Sequence, residues 1–146
     1  MTFVLGPVGK VLANRGSAAV DAATGPAMNM WLVRNRTTGR ILAWRVRRAD
    51  GWVARLVGFL PRRSIAPEEG LWFERCGAIH TLGMRTALDV VFLDRDLRVV
   101  RMDAGVRPHR LYVGARHAHV VVEFGPGFAK ANPLAPGDQL ALEPVA

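Results

Sequence analysis

The sequence predicts a mainly β (α+β) fold, namely a small antiparallel sheet or partly closed β-barrel with one prominent helix. Many short runs of strand-forming residues are separated by turn residues such as Pro136-Gly137-Asp138. One segment, near residues 50–61, has the apolar spacing of an amphipathic helix. With 146 residues, 50% of them hydrophobic, and a mean hydropathy of +0.13, the chain can bury a core of its own.

The predicted domain begins near Met28, so residues 28–146 form one domain and residues 1–27 a loose N-terminal extension. Gly6, Pro7 and Lys10 interrupt the only apolar run of this extension, which makes it a poor export leader. A short strand at residues 3–5 is a further interpretation. The sequence therefore favours the cytoplasm over export.

The first predicted elements are a hairpin and a helix. Residues 30–33 and 41–46 are the hairpin strands, with a turn at Thr37-Thr38-Gly39. Asp50 is a suitable helix N-cap and Pro61 ends the helix. The apolar positions of the helix are Trp52, Val53, Leu56, Phe59 and Leu60.

The remaining predicted elements are mostly strands. Residues 90–93 and 97–102 form a second hairpin around the turn Asp94-Arg95-Asp96. The other predicted elements are strands at residues 71–73, 120–124 and 139–142 and one helical turn at 128–132.

The charge balance is strongly basic, because the formal net charge is +8 and almost all of it comes from arginine. Arginines cluster between Arg34 and Arg63, here called the 34–63 basic face, and could bind nucleic acid or an anionic surface. The simpler interpretation, which we favour, is an arginine-rich composition that keeps the surface soluble. No apolar run approaches the ~20 residues of a transmembrane helix.

The segment from Cys76 to Asp94 combines polar chemistry with core-forming sequence. Cys76 is the only cysteine, which excludes an internal disulfide. Cys76, His80 and Met84 recur every four residues and would suit copper on a helix, but Gly77 and Gly83 favour a loop. A nucleophilic Cys76 with His80 as base is a second hypothesis. Packing roles for the cysteine and the methionine are the simpler interpretation, so we predict no metal, cofactor or catalytic residue.

A polar pocket is the stronger functional hypothesis for this segment. The predicted ligand-binding residues are His80, Thr81, Arg85 and Asp89. Asp89 stands at the entrance to an apolar strand, where a carboxylate needs a partner. That partner is either internal, so that a hydrogen-bond network fixes the loop, or a small ligand in a cleft.

Several motifs occur together in a recognisable order. They are Gly58-Phe-Leu60, Pro67-Glu-Glu-Gly-Leu71, Cys76, Ile79-His-Thr81, Gly83-Met-Arg85, Asp89-Val-Val-Phe-Leu-Asp94, Gly114-Ala-Arg116, Val121-Val-Glu123 and Pro136-Gly-Asp138. From about Met30 to Leu142 the chain resembles the DUF192 family, a prokaryotic group of unknown function. The resemblance implies a compact, mostly β domain with one prominent helix, and it implies no established activity.

These observations favour a non-enzymatic binding module with a polar pocket around His80 and Asp89 for a small molecule or peptide. One alternative is nucleic-acid or anionic-surface binding by the 34–63 basic face. Another is an enzyme or metal protein centred on Cys76 and His80. The sequence indicates no oligomeric state.

Overall fold

The computed structural model describes residues 30–51, 54, 57–60 and 62–145. The predicted N-terminal extension and the strand considered at residues 3–5 lie outside these ranges. So do Trp52, Val53, Leu56 and Pro61 of the predicted helix. The described part of that segment is helical at Ala54 and Val57, and the Gly58 N–H donates to the Ala54 carbonyl at 2.9 Å.

The fold is mainly β, and every strand predicted from residue 30 onwards is confirmed within a few residues. The elements are β1 Trp31–Asn35, β2 Ile41–Arg48, β3 Glu69–Glu74, β4 Ala78–Ile79, β5 Leu88–Leu93, β6 Val99–Val106, β7 Val113–Gly114, β8 Val120–Phe124, α1 Phe128–Ala131 and β9 Leu140–Pro144. Strands β4 and β7 form a separate two-stranded sheet that the sequence did not predict. In the part of the chain that is described, no helix is long and apolar enough to cross a membrane.

The main sheet has seven strands in the order β6-β5-β8-β3-β2-β1-β9. The prediction of an antiparallel sheet is wrong at one pair, because β2 and β3 run parallel. A parallel pair needs a crossover of a dozen or more residues, and residues 49–68 with their helical turn provide it. The described strands do not close into a barrel. Just before the two edge strands β6 and β9 begin, Arg98 and Gln139 form an isolated antiparallel bridge.

The central strands are buried on both faces, so apolar clusters form on either side of the sheet. One cluster contains Val91 of β5, Val122 of β8 and Phe128 of α1, and we call this side the α1 face. The other cluster contains Val90 and Val121 of the same strands. It also contains Phe59 and Met84, and we call this side the cavity face. Alternation along β8 therefore directs Glu123 to the cavity face, and alternation along β5 directs Asp89 to the α1 face.

Candidate functional site

A cavity of about 140 Å³ lies on the cavity face of the sheet. Residues 57–60 cover it, and the segment from Cys76 to Met84 forms one side. Phe73 of β3 and Glu123 of β8 reach it from the sheet. The wall is therefore largely apolar, with a few polar side chains converging on it, which is the usual character of a small-molecule site.

Glu123 is the most unusual group in this wall. It lies in β8 between Leu71 of β3 and Val90 of β5, and it is only 5% exposed. Its carboxyl makes no hydrogen bond or ion pair within the described chain. Burial raises the pKa of Glu123 to about 8, because a charged carboxylate is poorly solvated there. At neutral pH the group is therefore a protonated acid that can donate as well as accept.

His80 is the second polar group at the cavity. It follows β4, is half-buried and lines the cavity. Its Nδ1 atom is buried and makes no hydrogen bond to any described residue. An unpaired buried nitrogen is costly, so His80, which lines the same cavity as Glu123, has an unused hydrogen-bonding position.

Cys76 and Met84 also line the cavity, so the structure brings together the three soft side chains that the sequence spaced four residues apart. The Cys76 thiol donates to the Ala78 carbonyl at 3.0 Å, and Met84 is 5% exposed. Among the described residues, no group of three or more His, Cys, Asp or Glu side chains could hold a metal ion. Both side chains form part of the cavity wall.

Thr81 points away from the cavity's polar groups and holds a loop. Its hydroxyl donates to the Arg107 carbonyl at 2.8 Å and accepts from the Arg110 N–H at 2.9 Å. Its backbone also pairs with His109 and Arg110. Arg85, a few residues further on, is exposed.

Asp89 is 3% exposed and its carboxylate is fully engaged on the α1 face. One oxygen accepts from the Gly105 N–H at 2.8 Å. The other accepts from the N–H groups of Gly127 and Ala129, at 3.1 and 2.8 Å, at the start of α1. Of the four predicted ligand-binding residues, the structure thus brings only His80 to the cavity. Ligand binding by the other three stays a prediction.

Sequence reasoning missed Glu123 as a site residue. The available signal was an acidic residue inside the otherwise apolar run from Val120 to Phe124. All five of these residues are buried. An ionisable residue within an apolar strand sequence therefore indicates a candidate site residue, because a buried carboxyl needs a partner.

Half of the described arginines of the 34–63 basic face form ion pairs with carboxylates. Arg34 pairs with Glu143 at 3.1 Å, and Arg48 pairs with Glu74 at 3.3 Å. Glu69 accepts two hydrogen bonds from Arg62, at 3.0 and 3.1 Å. Burial alone would raise the pKa of Glu69, but hydrogen bonds from Arg62 and Ala66 and the charges of Arg62 and Arg45 outweigh it and lower the pKa. These arginines are consequently less available to phosphates than the sequence suggests.

Fold and site together define a class: a small domain built on a mixed β-sheet, with a cavity on one face of the sheet that an unpaired carboxyl lines. The sequence profile of DUF192, described as "Uncharacterized ACR", matches residues 33–142. The chain therefore belongs to the DUF192 family, as its motifs indicated. A UPF0127 protein of Pyrococcus furiosus is 33% identical over 109 residues, which span 73% of this chain and 93% of that protein.

Two crystal structures share the fold. One is a Sinorhizobium meliloti protein provisionally described as a transcription regulator, with a TM-score of 0.67 and 23% identity. The alignment covers 81% of this chain and 98% of that one. The other is a protein of unknown function from Novosphingobium aromaticivorans, with a TM-score of 0.66 and 21% identity, covering 89% and 99%. At these identities the likeness concerns the fold alone.

Proposed function

We propose that this domain is a non-enzymatic binding module that takes a small uncharged molecule into the cavity beside Glu123 and His80. The single observation that carries the proposal is the Glu123 carboxyl, buried at the cavity wall without a hydrogen-bond partner in the described chain. Proteins pair almost all buried polar groups, so an unpaired one facing a cavity indicates a missing partner. The proposal retains His80 from the sequence prediction and adds Glu123.

The size of the cavity limits the ligand. A volume of about 140 Å³ is close to that of an engineered cavity of roughly 150 Å³ that binds benzene. The cavity therefore accommodates about six non-hydrogen atoms, either a whole molecule or one end of a longer one. The apolar wall formed by Phe59, Phe73 and Met84 favours a hydrocarbon body for that group.

The protonation state of Glu123 defines the polar end of the ligand. Because burial raises the pKa of this carboxyl to about 8, it presents an O–H donor next to a carbonyl acceptor at pH 7. A primary carboxamide has the complementary pair, a carbonyl acceptor next to an N–H donor. Binding would replace the missing hydrogen bonds without placing a charge in the apolar wall.

Neither an enzyme nor a metal protein centred on Cys76 and His80 is favoured by a specific contact. The Cys76 thiol donates to the Ala78 carbonyl. In the described part of the chain, no group of three or more His, Cys, Asp or Glu side chains could hold a metal ion. A binding role, by contrast, uses the apolar wall and the polar groups of Glu123 and His80 that line the cavity.

Titration with butyramide, monitored by the backbone amide signals of the isotope-labelled protein, tests the proposal. We expect shifts at Gly58 and His80 and a dissociation constant on the order of 1 mM at pH 6. Affinity should fall as the pH passes 8 and Glu123 ionises. Glu123→Met keeps a similar volume without the carboxyl and should abolish the shifts, whereas Glu68→Met, outside the cavity, should retain them. Equal binding by Glu123→Met would refute the proposal.

A further inference from the structure

Exposed apolar side chains are concentrated at one tip of the molecule. Leu111 is 79% exposed, Tyr112 is 70% exposed and Leu82 is 40% exposed. They are half of the large hydrophobic side chains exposed in the described chain; the others are Ile41, Trp44 and Val57. Leu111 and Tyr112 are also the two most exposed of the six. Isolated exposed hydrophobics need no explanation, but a cluster of them marks an interaction surface.

Thr81 holds the two segments of this tip together. Its hydroxyl and backbone make four hydrogen bonds to residues 107–110, all between 2.8 and 2.9 Å. The turn that carries Leu82 therefore lies against the loop that carries Leu111 and Tyr112. The loop also contains His109 at a φ of 65°, a left-handed conformation that non-glycine residues rarely adopt. The hydrogen bond from the His109 N–H to the Thr81 carbonyl helps to keep this loop in its shape.

The same two segments carry arginines that are not neutralised. Arg85, Arg107 and Arg110 are exposed and form no ion pair with any described residue. Arg107 and Arg110 line a groove of about 320 Å³ at the end of β6. Asp103 lines it too, but both of its oxygens accept from Arg101 at 2.7 Å. The tip therefore combines unpaired positive charge with exposed apolar side chains.

We propose that this tip, defined by Leu82, Arg85, Arg107, Arg110, Leu111 and Tyr112, docks on the surface of a membrane that contains anionic lipids. Leu111 and Tyr112 enter the headgroup region, and the arginines contact lipid phosphates around them. Each arginine near an anionic bilayer strengthens binding about fivefold, so three contribute about a hundredfold. The apolar residues supply the part of the affinity that salt does not screen.

The composition of the tip favours a membrane over a nucleic acid. Single-stranded nucleic acid is held by several aromatic side chains on which successive bases stack. This tip has one aromatic residue and two leucines, and leucine offers no stacking surface. A leucine and a tyrosine beside arginines are instead suited to the boundary between headgroups and acyl chains, where an amphipathic side chain keeps its polar end in water.

Sedimentation of the full chain with lipid vesicles tests the inference. We expect binding to vesicles of equal parts phosphatidylglycerol and phosphatidylcholine and none to pure phosphatidylcholine. Leu111→Ser with Tyr112→Ser should weaken binding at least tenfold. The triple variant R85Q, R107Q, R110Q should weaken it about a hundredfold. These side chains are exposed, so the melting temperature should stay unchanged.

The matched control is the triple variant R36Q, R40Q, R63Q, which removes the same net charge from exposed arginines elsewhere. It should weaken vesicle binding severalfold at most. An equal loss in both triple variants would mean that net charge alone drives binding and would overturn the inference. Absence of binding to the anionic vesicles would overturn it too. Tight binding of an oligothymidine at the tip without vesicle binding would point to nucleic acid instead.

Discussion

Glu123 places a carboxyl where the sheet provides no donor for it. Its neighbours across the ladder are Leu71 and Val90, and the segment above it presents Gly58, where a Cβ atom would lie 3.8 Å from Oε2. The position would be filled more favourably by an apolar residue if stability alone mattered. The presence of a carboxyl at this position therefore supports a role in binding a ligand.

The pH dependence of stability should reveal this carboxyl. Glu123 has a pKa of about 8 when folded and an ordinary value of 4.5 when unfolded, so the folded state binds the extra proton between these values. The free energy of unfolding therefore falls as the pH rises through this window. The contribution is fully present below pH 4.5 and lost above pH 8. Its size is on the order of a few kcal/mol.

Urea unfolding of the wild type and of Glu123→Gln across pH 5 to 9 provides the measurement. Subtracting one profile from the other removes the groups that both proteins share, including Glu69. We expect the wild type to lose stability relative to the variant as the pH rises. Glu68→Gln, which removes a carboxyl outside the cavity, serves as the control. A flat difference for Glu123→Gln would contradict the prediction.

At the scale of elements, Thr81 connects the turn before β5 to the loop after β6 through hydrogen bonds. We predict that Thr81→Val, which removes the hydroxyl but keeps the shape, loosens this loop at a cost of about 0.5–1.5 kcal/mol per hydrogen bond, because the Arg107 carbonyl and the Arg110 N–H each lose a partner. Hydrogen exchange should become faster at His109 and Arg110. Thr86→Val is the matched control, since its hydroxyl makes only a long contact of 3.4 Å with the Ala87 carbonyl. Unchanged protection at Arg110 would contradict the prediction.

The longer strands could be predicted because each is an apolar run bounded by turn residues. β8 was predicted with the bounds Val120–Phe124 that the structure has. β4 and β7 have two residues each, too few to show a period, so local sequence carries no signal for them. The spacing of apolar residues likewise does not indicate whether neighbouring strands run parallel or antiparallel. The parallel pairing of β2 with β3 depends on where the crossover of residues 49–68 returns, which is a property of tertiary packing.

The site was less predictable than the fold, and the reason lies in strand alternation. His80 and Asp89 are close in sequence, but β5 directs Asp89 to the α1 face, where three N–H groups satisfy it. Glu123 is far away in sequence, yet β8 directs it to the cavity that His80 lines. Polar residues in one motif need not share a face of the sheet. Only the register of neighbouring strands determines which of them meet.

For the whole molecule, the distribution of charge matters more than the formal net charge of +8. The 34–63 basic face contains most of the ion pairs found among the described residues. Arg47 of this face is half-buried over the Phe59 ring at 5.9 Å, and burial lowers its pKa, with the neighbouring Arg62 charge adding to the effect. Exposed arginines without an ion pair remain at Arg36, Arg40 and Arg63. Apart from these three, the described arginines of this face are ion-paired or half-buried and therefore less free to replace the counterions of a nucleic acid.

We accordingly expect the 34–63 basic face to bind nucleic acid only weakly. The dissociation constant at physiological salt should be in the non-specific range of about 10⁻⁴ to 10⁻⁶ M, with no preference between a mixed duplex and an oligothymidine. Fluorescence anisotropy over a salt series measures it. If the three free arginines contact phosphates, the triple variant R36Q, R40Q, R63Q should reduce the slope of log affinity against log salt by about 2 to 3. A nanomolar affinity at physiological salt, lost in this variant, would instead establish the face as a nucleic-acid site.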